Sequence, residues 1–171
     1  MIAKLLNQQK IITSKIDIGK ENPFRAGMVH DIGKQVLGFF FNEMYKMVLD
    51  EMTAGTSMYD VELDVLGITH ANIGAGLASK WQLPSSLSAV IGEHHEPMSD
   101  DANTMTQLIH ISDVFSKFTG FAFAEKPTEM KFDEKLLESI EISDEARGEL
   151  KTELKPQIRT LVNDTFSAIF K

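Results

Sequence analysis

The chain has 171 residues, of which 43% are hydrophobic and none is cysteine. This length suits one globular domain, and the lack of cysteine excludes disulfides, thiolate metal sites and cysteine nucleophiles. The net charge of −8, from 25 acidic and 17 basic residues, disfavours binding to a nucleic-acid polymer, which requires clustered Lys and Arg.

Membrane insertion and secretion are also disfavoured by the sequence. No apolar run approaches the roughly 18 residues of a membrane-spanning helix. The first 15 residues are amphipathic and lack the compact apolar region and cleavage site of a signal peptide. We therefore expect a cytoplasmic protein without membrane contacts.

Hydrophobic residues in the first half of the chain recur every three or four positions, which predicts helices rather than strands. Residues 1–15 predict an amphipathic helix, and residues 19–23, with Gly and Pro, a break after it. The apolar steps from Leu37 to Met52 predict one continuous helix face that ends at residues 55–57. The Phe39–Phe41 run within it and the nine methionines are predicted to lie in the core, with a groove for a partner as the alternative.

The helical period continues through the second half of the chain. Pro84 is predicted to open a helix, and residues 96–103 and 119–131 are predicted loops. Ser143 is a candidate N-cap for the last helical stretch, in which Pro156 predicts a kink or a split.

These elements predict an all-α fold with about seven or eight helices. The connections are short, which favours antiparallel neighbours in a single domain over residues 1–171, with C-terminal helices over residues 132–171. Gly74 and Gly76 are predicted to let two helices pack closely.

All five histidines lie between positions 30 and 110: His30 directly precedes Asp31, His94 and His95 are adjacent, and His110 precedes Asp113 by three positions. Imidazole and carboxylate are ligands that suit Zn, Mn, Fe and Ni, and paired metals can activate water and hold phosphoryl oxygens in phosphate-ester hydrolysis. Taken singly, however, a histidine on an apolar helix is more often a hydrogen-bonded core or surface residue. No local code such as His-Glu-x-x-His is present, so spacing alone leaves both hypotheses open.

Four sequence blocks resemble the HD superfamily, and most closely its HDOD branch. They cover about residues 24–118 in the family's order, and the resemblance implies an HD-domain-like helical bundle. The blocks are AGMVHDIGK at residues 26–34, LGITHANIG continuing to KWQLP at residues 66–84, AVIGEHHEP at residues 89–97 and LIHISD at residues 108–113.

The resemblance implies a metal site that takes one or two divalent ions, of Mn, Fe, Zn, Ni or Mg. The metal ligands it implies are His30, Asp31, His70, His94, His95 and Asp113. It assigns catalytic roles to Asp31, as a bridging ligand, and to Lys34, which would contact substrate phosphate. The alternative for Lys34 is a solvated lysine near a carboxylate.

The sequence departs from the catalytic HD pattern at two places. Residues 1–29 contain no histidine, where catalytic members carry an additional ligand, and residues 97–103 lack the Gly-Tyr-Pro loop of the phosphodiesterase branch. We therefore favour an HDOD-type signal-transduction module that acts on a protein partner and retains an enzyme-like site. The alternative is an active metal-dependent phosphohydrolase or phosphodiesterase, which would act on a nucleotide or another phosphate ester.

The HDOD resemblance also implies a further helical segment ahead of the recognised blocks. We expect an exposed apolar strip on the helix of residues 1–15, with Ile2, Leu5, Leu6 and Ile12, or around Phe39–Phe41. A second copy in a homodimer, or the preceding segment, would cover it. Alternatively, the C-terminal helices of residues 143–170 fold back over it.

Overall fold

The computed structural model describes residues 16–118, 131–141 and 143–169 of the chain, and these residues form helices and connecting turns without a strand. This confirms the predicted all-α bundle. In chain order the helices of the described residues are α1 Pro23–Val29, α2 Ile32–Phe40, α3 Asn42–Glu51, α4 Met58–Leu66, α5 His70–Lys80, α6 Ser85–Glu93, α7 Thr104–Phe118, α8 Glu134–Ser139 and α9 Asp144–Ile169.

Local capping chemistry determines where the helices around the histidines begin. Asn22 accepts hydrogen bonds from the first backbone N–H groups of α1, and Pro23 occupies the first turn, where its missing N–H costs nothing. Thr69 and Asn72 form a reciprocal capping box. As a result, α5 starts at His70, and this histidine takes the first position of its helix.

The continuous helix predicted from Leu37 to Met52 is wrong. The backbone at Phe41 leaves the helical region, with φ −131° and ψ 41°, so that α2 ends at Phe40 and α3 begins at Asn42. On α3 the buried residues are Tyr45 and Val48. After the break, Tyr45 and Val48 of α3 pack in the same cluster as Leu37 of α2, while Phe41 stays half exposed.

The prediction that the three phenylalanines lie in the core is also wrong. The exposed fractions of Phe39, Phe40 and Phe41 are 78%, 77% and 48%. Leu37 is the large apolar side chain of α2 that is buried, and the phenylalanines follow it at the break, where α2 has left the core. The methionines divide: Met58 and Met105 are buried, whereas others such as Met47 are exposed.

The described helices enclose two hydrophobic clusters. The larger includes residues of α1, α6, α7, α8 and α9, together with Ile16 and Ile18. The smaller is formed by α2, α3 and α4, with Leu37, Tyr45 and Val48 among its buried residues. Helix α5 packs on both α2 and α6, and so connects the two halves of the bundle.

Glycine makes these helix contacts possible. A Cβ atom built on Gly33 of α2 would overlap the carbonyl oxygen of His70, and one on Gly74 of α5 would lie 2.6 Å from the Ile91 side chain of α6. The close packing predicted at Gly74 is therefore confirmed. At Gly76 it is not, because a Cβ there would meet no atom within 4 Å.

The C-terminal helices match the sequence-based prediction in part. Helix α9 begins directly after Ser143, at the predicted start, but it runs through Pro156 without a split. Leu154 and Ile158 flank the proline and are fully buried, so tertiary packing outweighs the lost backbone hydrogen bond.

Residues 1–15 and most of the predicted 119–131 loop lie outside the described residues. None of the helices that are described has the length and hydropathy needed to cross a bilayer.

Candidate metal centre

The histidines and aspartates of the sequence blocks lie at helix ends. His30 directly follows α1, and Asp31 precedes α2. His70 opens α5, and His94 and His95 follow α6. Asp113 and His110 are the exceptions, because both lie in the middle of α7. The packing of α5 on α2 and on α6 brings these ends together.

Backbone carbonyl groups orient two of the imidazole rings. His30 Nδ1 lies 2.9 Å from the Gly27 carbonyl oxygen, and His94 Nδ1 lies 3.1 Å from that of Ile91. A carbonyl oxygen only accepts hydrogen bonds, so each Nδ1 carries the proton. The Nε2 atoms of His30 and His94 are therefore left as lone-pair donors that are available to a metal ion.

Glu62 orients the third ring. One carboxylate oxygen, Oε2, accepts two hydrogen bonds from His70, at 2.7 Å from the backbone N–H and at 2.6 Å from the Nδ1–H. Both side chains are fully buried. The other oxygen, Oε1, is buried without a hydrogen-bond partner. A carboxylate behind a histidine is the common outer partner of a metal-binding imidazole.

The free Nε2 atoms converge on one another and on Asp31. His70 Nε2 lies 3.3 Å from His94 Nε2, 3.1 Å from His95 Nε2 and 3.3 Å from Asp31 Oδ1. His30 Nε2 lies 3.4 Å from Asp31 Oδ2. Lone pairs at these separations repel unless a proton or a cation lies between them. His30 Nε2 and Asp31 Oδ1 are buried without a hydrogen-bond partner, so these residues fit a divalent ion.

Two overlapping groups of donor atoms, each within 4.8 Å of one another, occur among the described residues. The first comprises His70, His94 and His95, and the second comprises His30, Asp31 and His94. One imidazole nitrogen binds one ion, so His94 can serve only one group at a time. Asp31, with one oxygen toward His70 and the other toward His30, is the residue able to bridge two ions.

Asp113 and His110 lie beside these groups. Asp113 Oδ1 is 3.9 Å from His30 Nε2, and its other oxygen forms a 2.8 Å ion pair with Lys117. His110 Nδ1 donates to the His94 carbonyl oxygen at 2.8 Å, and its Nε2 accepts from the Asp133 backbone N–H at 3.1 Å. Since both ring nitrogens of His110 are engaged, its role is structural.

The electrostatic environment favours the metal-binding form of His94, His95 and Asp31, whereas Asp31 and Asp113 outweigh burial and raise the pKa of His30, so that a metal ion would displace a proton there. Burial lowers the pKa of His94 to about 4, and burial together with His94 holds the pKa of His95 well below its usual range. Burial opposes the ionisation of Asp31, but His30 and the other neighbouring histidines outweigh it and hold its pKa well below the ordinary value. Neutral imidazoles and an ionised carboxylate are the ligand forms that bind metals.

Two further side chains complete the surroundings. Lys34 Nζ lies 2.8 Å from Asp31 Oδ2, one turn along α2. The Tyr59 ring packs against His95, with ring centroids 4.6 Å apart, and its hydroxyl donates to Glu96 at 2.7 Å. Neither Tyr59 nor Glu62 is singled out by the sequence pattern, because both lie on α4, outside the recognised blocks.

Comparison with known proteins provides a family match and a structural neighbour. The family model of the HDOD domain matches residues 6–97. A crystal structure from Marinobacter aquaeolei VT8, provisionally described as a signal transduction protein, superposes with a TM-score of 0.69 at 22% sequence identity. The alignment covers 94% of this chain but 36% of that one, so the chain spans about a third of its length. No curated protein matches the sequence.

Proposed function

Because the chain belongs to the HDOD family, we propose that it is a signal-transduction module built around a His/Asp metal centre. The observation that carries the metal centre is the orientation of three imidazoles. His30, His70 and His94 each donate through Nδ1 to an oxygen of the protein and direct a free Nε2 toward Asp31. The description of the structural neighbour as a signal transduction protein supports the module's role.

The ligand set also indicates which ions the centre would take. Four imidazoles and one carboxylate lie within reach of one another, and imidazole-rich sites favour Zn, Fe or Ni over Mg, which prefers oxygen ligands. Mn remains compatible through Asp31 and Asp113. A bound ion would act as a Lewis acid and hold anionic oxygen atoms at the site.

Metal titration of the purified chain tests the proposal. After treatment with a chelator, we expect the protein to rebind one or two equivalents of a transition-metal ion per chain, with Zn or Fe ahead of Mg. Metal content by mass spectrometry and calorimetric titration give the stoichiometry. A protein that binds no transition-metal ion more tightly than Mg would contradict the proposal.

Hydrolysis of a phosphate ester is the second candidate function. It is favoured by the position of Lys34, whose ammonium lies against Asp31 where a cavity begins, as expected of a lysine that holds phosphate beside a metal. Turnover of a generic aryl phosphate with added Mn, lost in Asp31→Ala, would establish this function. Tight metal binding with no turnover would leave the module without catalysis.

A further inference from the structure

His95 is held differently from the other three imidazoles of the candidate centre. The rings of His30, His70 and His94 are each fixed through Nδ1 by an oxygen atom of the protein. Among the residues that the structure describes, no hydrogen bond reaches Nδ1 of His95, whose Nε2 lies 3.1 Å from His70 Nε2. An imidazole that lacks an outer hydrogen-bond partner depends on packing for its orientation.

The ring of Tyr59 provides this packing. Its centroid lies 4.6 Å from that of His95, with 37° between the ring planes, and 6.4 Å from that of His70. Aromatic rings at such separations favour particular relative orientations. The other rings against His95 within the described residues belong to His70 and His94, which are predicted ligands themselves. Tyr59 is therefore the outer support of the His95 ring.

Tyr59 is in turn fixed by a hydrogen bond to the segment that carries His95. Its hydroxyl donates to Glu96 Oε1 at 2.7 Å, across 37 positions of the chain, and Glu96 directly follows His95. An ionised carboxylate is a strong acceptor, which accounts for the short bond. Through its ring and its hydroxyl, Tyr59 ties His95 to α4.

Helix α4 thereby supports two histidines of the first donor group, which comprises His70, His94 and His95. Tyr59 lies three positions before Glu62, the residue that orients His70, and the two share one side of α4. The second donor group has only His94 in common with the first. A change at Tyr59 should therefore affect the first group and leave the second unchanged.

We infer that Tyr59 positions His95 to bind an ion in the first donor group. The tyrosine ring takes the place of the Nδ1 hydrogen bond that orients the other three imidazoles, and Glu96 holds the tyrosine. Tyr59 acts through His95 and does not itself contact the ion. The binding of an ion rests on the proposed metal centre, whereas the orientation of the His95 ring does not.

Titration of the full chain with Zn²⁺, in competition with a chromophoric chelator, tests this inference. His95→Gln identifies the equivalent that depends on His95. Tyr59→Leu removes the ring and should weaken that equivalent about tenfold, while any other equivalent keeps its affinity. Tyr59→Phe keeps the ring and should cause a smaller loss. Zn²⁺ binding that is unchanged in His95→Gln or in Tyr59→Leu, or weakened alike at both equivalents, would overturn the inference.

Three further variants separate the hydrogen bond from a general loosening of α4. Glu96→Gln keeps an oxygen that accepts from Tyr59 and should bind Zn²⁺ as the original chain does, whereas Glu96→Ala should match Tyr59→Phe. Tyr45→Phe is the matched control, because its hydroxyl donates to Met58, the residue beside Tyr59, at 3.1 Å. It should leave Zn²⁺ binding unchanged. An equal loss in Tyr45→Phe and Tyr59→Phe would overturn the inference.

Nuclear magnetic resonance of the metal-free chain provides a readout that needs no ion. The ring protons of His95, assigned by their loss in His95→Gln, should give sharp signals in the original chain. In Tyr59→Leu they should broaden as the ring exchanges between orientations, while those of His30 stay sharp. Signals of His95 that stay sharp in Tyr59→Leu would overturn the inference.

The inference and the proposed function fail in distinguishable ways. If Zn²⁺ binds but neither its affinity nor the His95 signals respond to Tyr59, the inference fails and the metal centre stands. If no Zn²⁺ binds but the His95 signals depend on Tyr59, the metal centre fails and only the positioning of the ring stands.

Discussion

Glu62 holds the central imidazole of the proposed metal centre in one orientation. Its Oε2 accepts both hydrogen bonds that His70 directs away from the site. Glu62→Gln removes the negative charge behind the ring, so we expect affinity for a transition-metal ion to fall tenfold to a hundredfold, as is typical when an outer partner of a ligand is changed. Competition with a chromophoric chelator measures this.

The matched control is Glu138→Gln, on the exposed side of α8. It should bind metal as the original chain does. A thermal melt of both metal-free variants checks that each is folded. Metal affinity that is unchanged in a folded Glu62→Gln protein would show that Glu62 serves packing alone.

We expect Asp31 and His95 to contribute unequally to metal affinity. Asp31 contacts the imidazoles of both donor groups, whereas His95 belongs to one of them. We expect Asp31→Asn to lower the affinity for the first ion by at least about tenfold. His95→Gln should retain one equivalent at nearly full affinity, held by His30, Asp31 and His94. Equal losses in the two variants, measured as equivalents per chain, would contradict this assignment.

The sequence predicts much of the candidate site. The blocks that carry His30, Asp31, His70, His94 and His95 identify side chains that lie within a few ångströms of one another, although their role as ligands stays a prediction. Glu62 could not be found in this way. It lies 8 positions before His70, and a glutamate on a helix gives no sign in the sequence that it turns inward.

At the scale of helices, the contact between α2 and α5 depends on Gly33. A methyl group there would overlap the carbonyl oxygen of His70. We therefore expect Gly33→Ala to lower the free energy of unfolding by about 1–3 kcal/mol, the usual cost of overpacking. Gly76→Ala is the matched control on α5, where a Cβ meets nothing. It should raise the free energy of unfolding by about 0.5–1 kcal/mol, because alanine suits a helix better.

Urea denaturation of the metal-free chain measures both changes. A neutral Gly33→Ala would mean that α2 and α5 can separate without cost, and that the site is less rigidly held than the packing indicates.

The periodicity of the sequence predicts the presence of helices more reliably than the positions of their ends. From Leu37 to Met52 the apolar period is unbroken in the sequence, yet the helix breaks at Phe41, and Tyr45 is buried with Leu37 and Val48. At Pro156 the reverse occurs, and a helix continues where local chemistry favours an interruption. In both cases long-range packing overrides the local pattern. The sequence of a single segment holds no information on that packing.

The surface of the whole molecule carries several large apolar side chains. Among the described residues, four such side chains are more than half exposed: Phe39, Phe40, Met47 and Trp81. Single exposed apolar residues are ordinary on a protein surface, but a contiguous patch often marks an interface. An exposed apolar surface around Phe39–Phe41 agrees with the sequence-based expectation. The homodimer that would cover it stays a prediction.

Phe40→Ser tests the role of this surface in self-association. Since 77% of the side chain is exposed, we expect the free energy of unfolding to change by less than about 0.5 kcal/mol. Sedimentation velocity over a range of concentrations should show a dimer for the original chain and a weaker dimer for the variant. A monomer of 19.1 kDa at all concentrations in both proteins would exclude the homodimer.

The uneven exposure of the ligands bears on how fast a metal ion would exchange. The side chains of His70 and His94 are fully buried, those of Asp113 and His30 are 14% and 17% exposed, and that of Asp31 is 32% exposed. Asp31 is the most exposed of these five side chains, so we expect an ion to reach the centre and leave it past Asp31, where the Lys34 ammonium repels cations. We expect loading and chelator-driven release to be slow even where equilibrium affinity is moderate, so that metal content reflects the history of the sample as much as the concentrations around it.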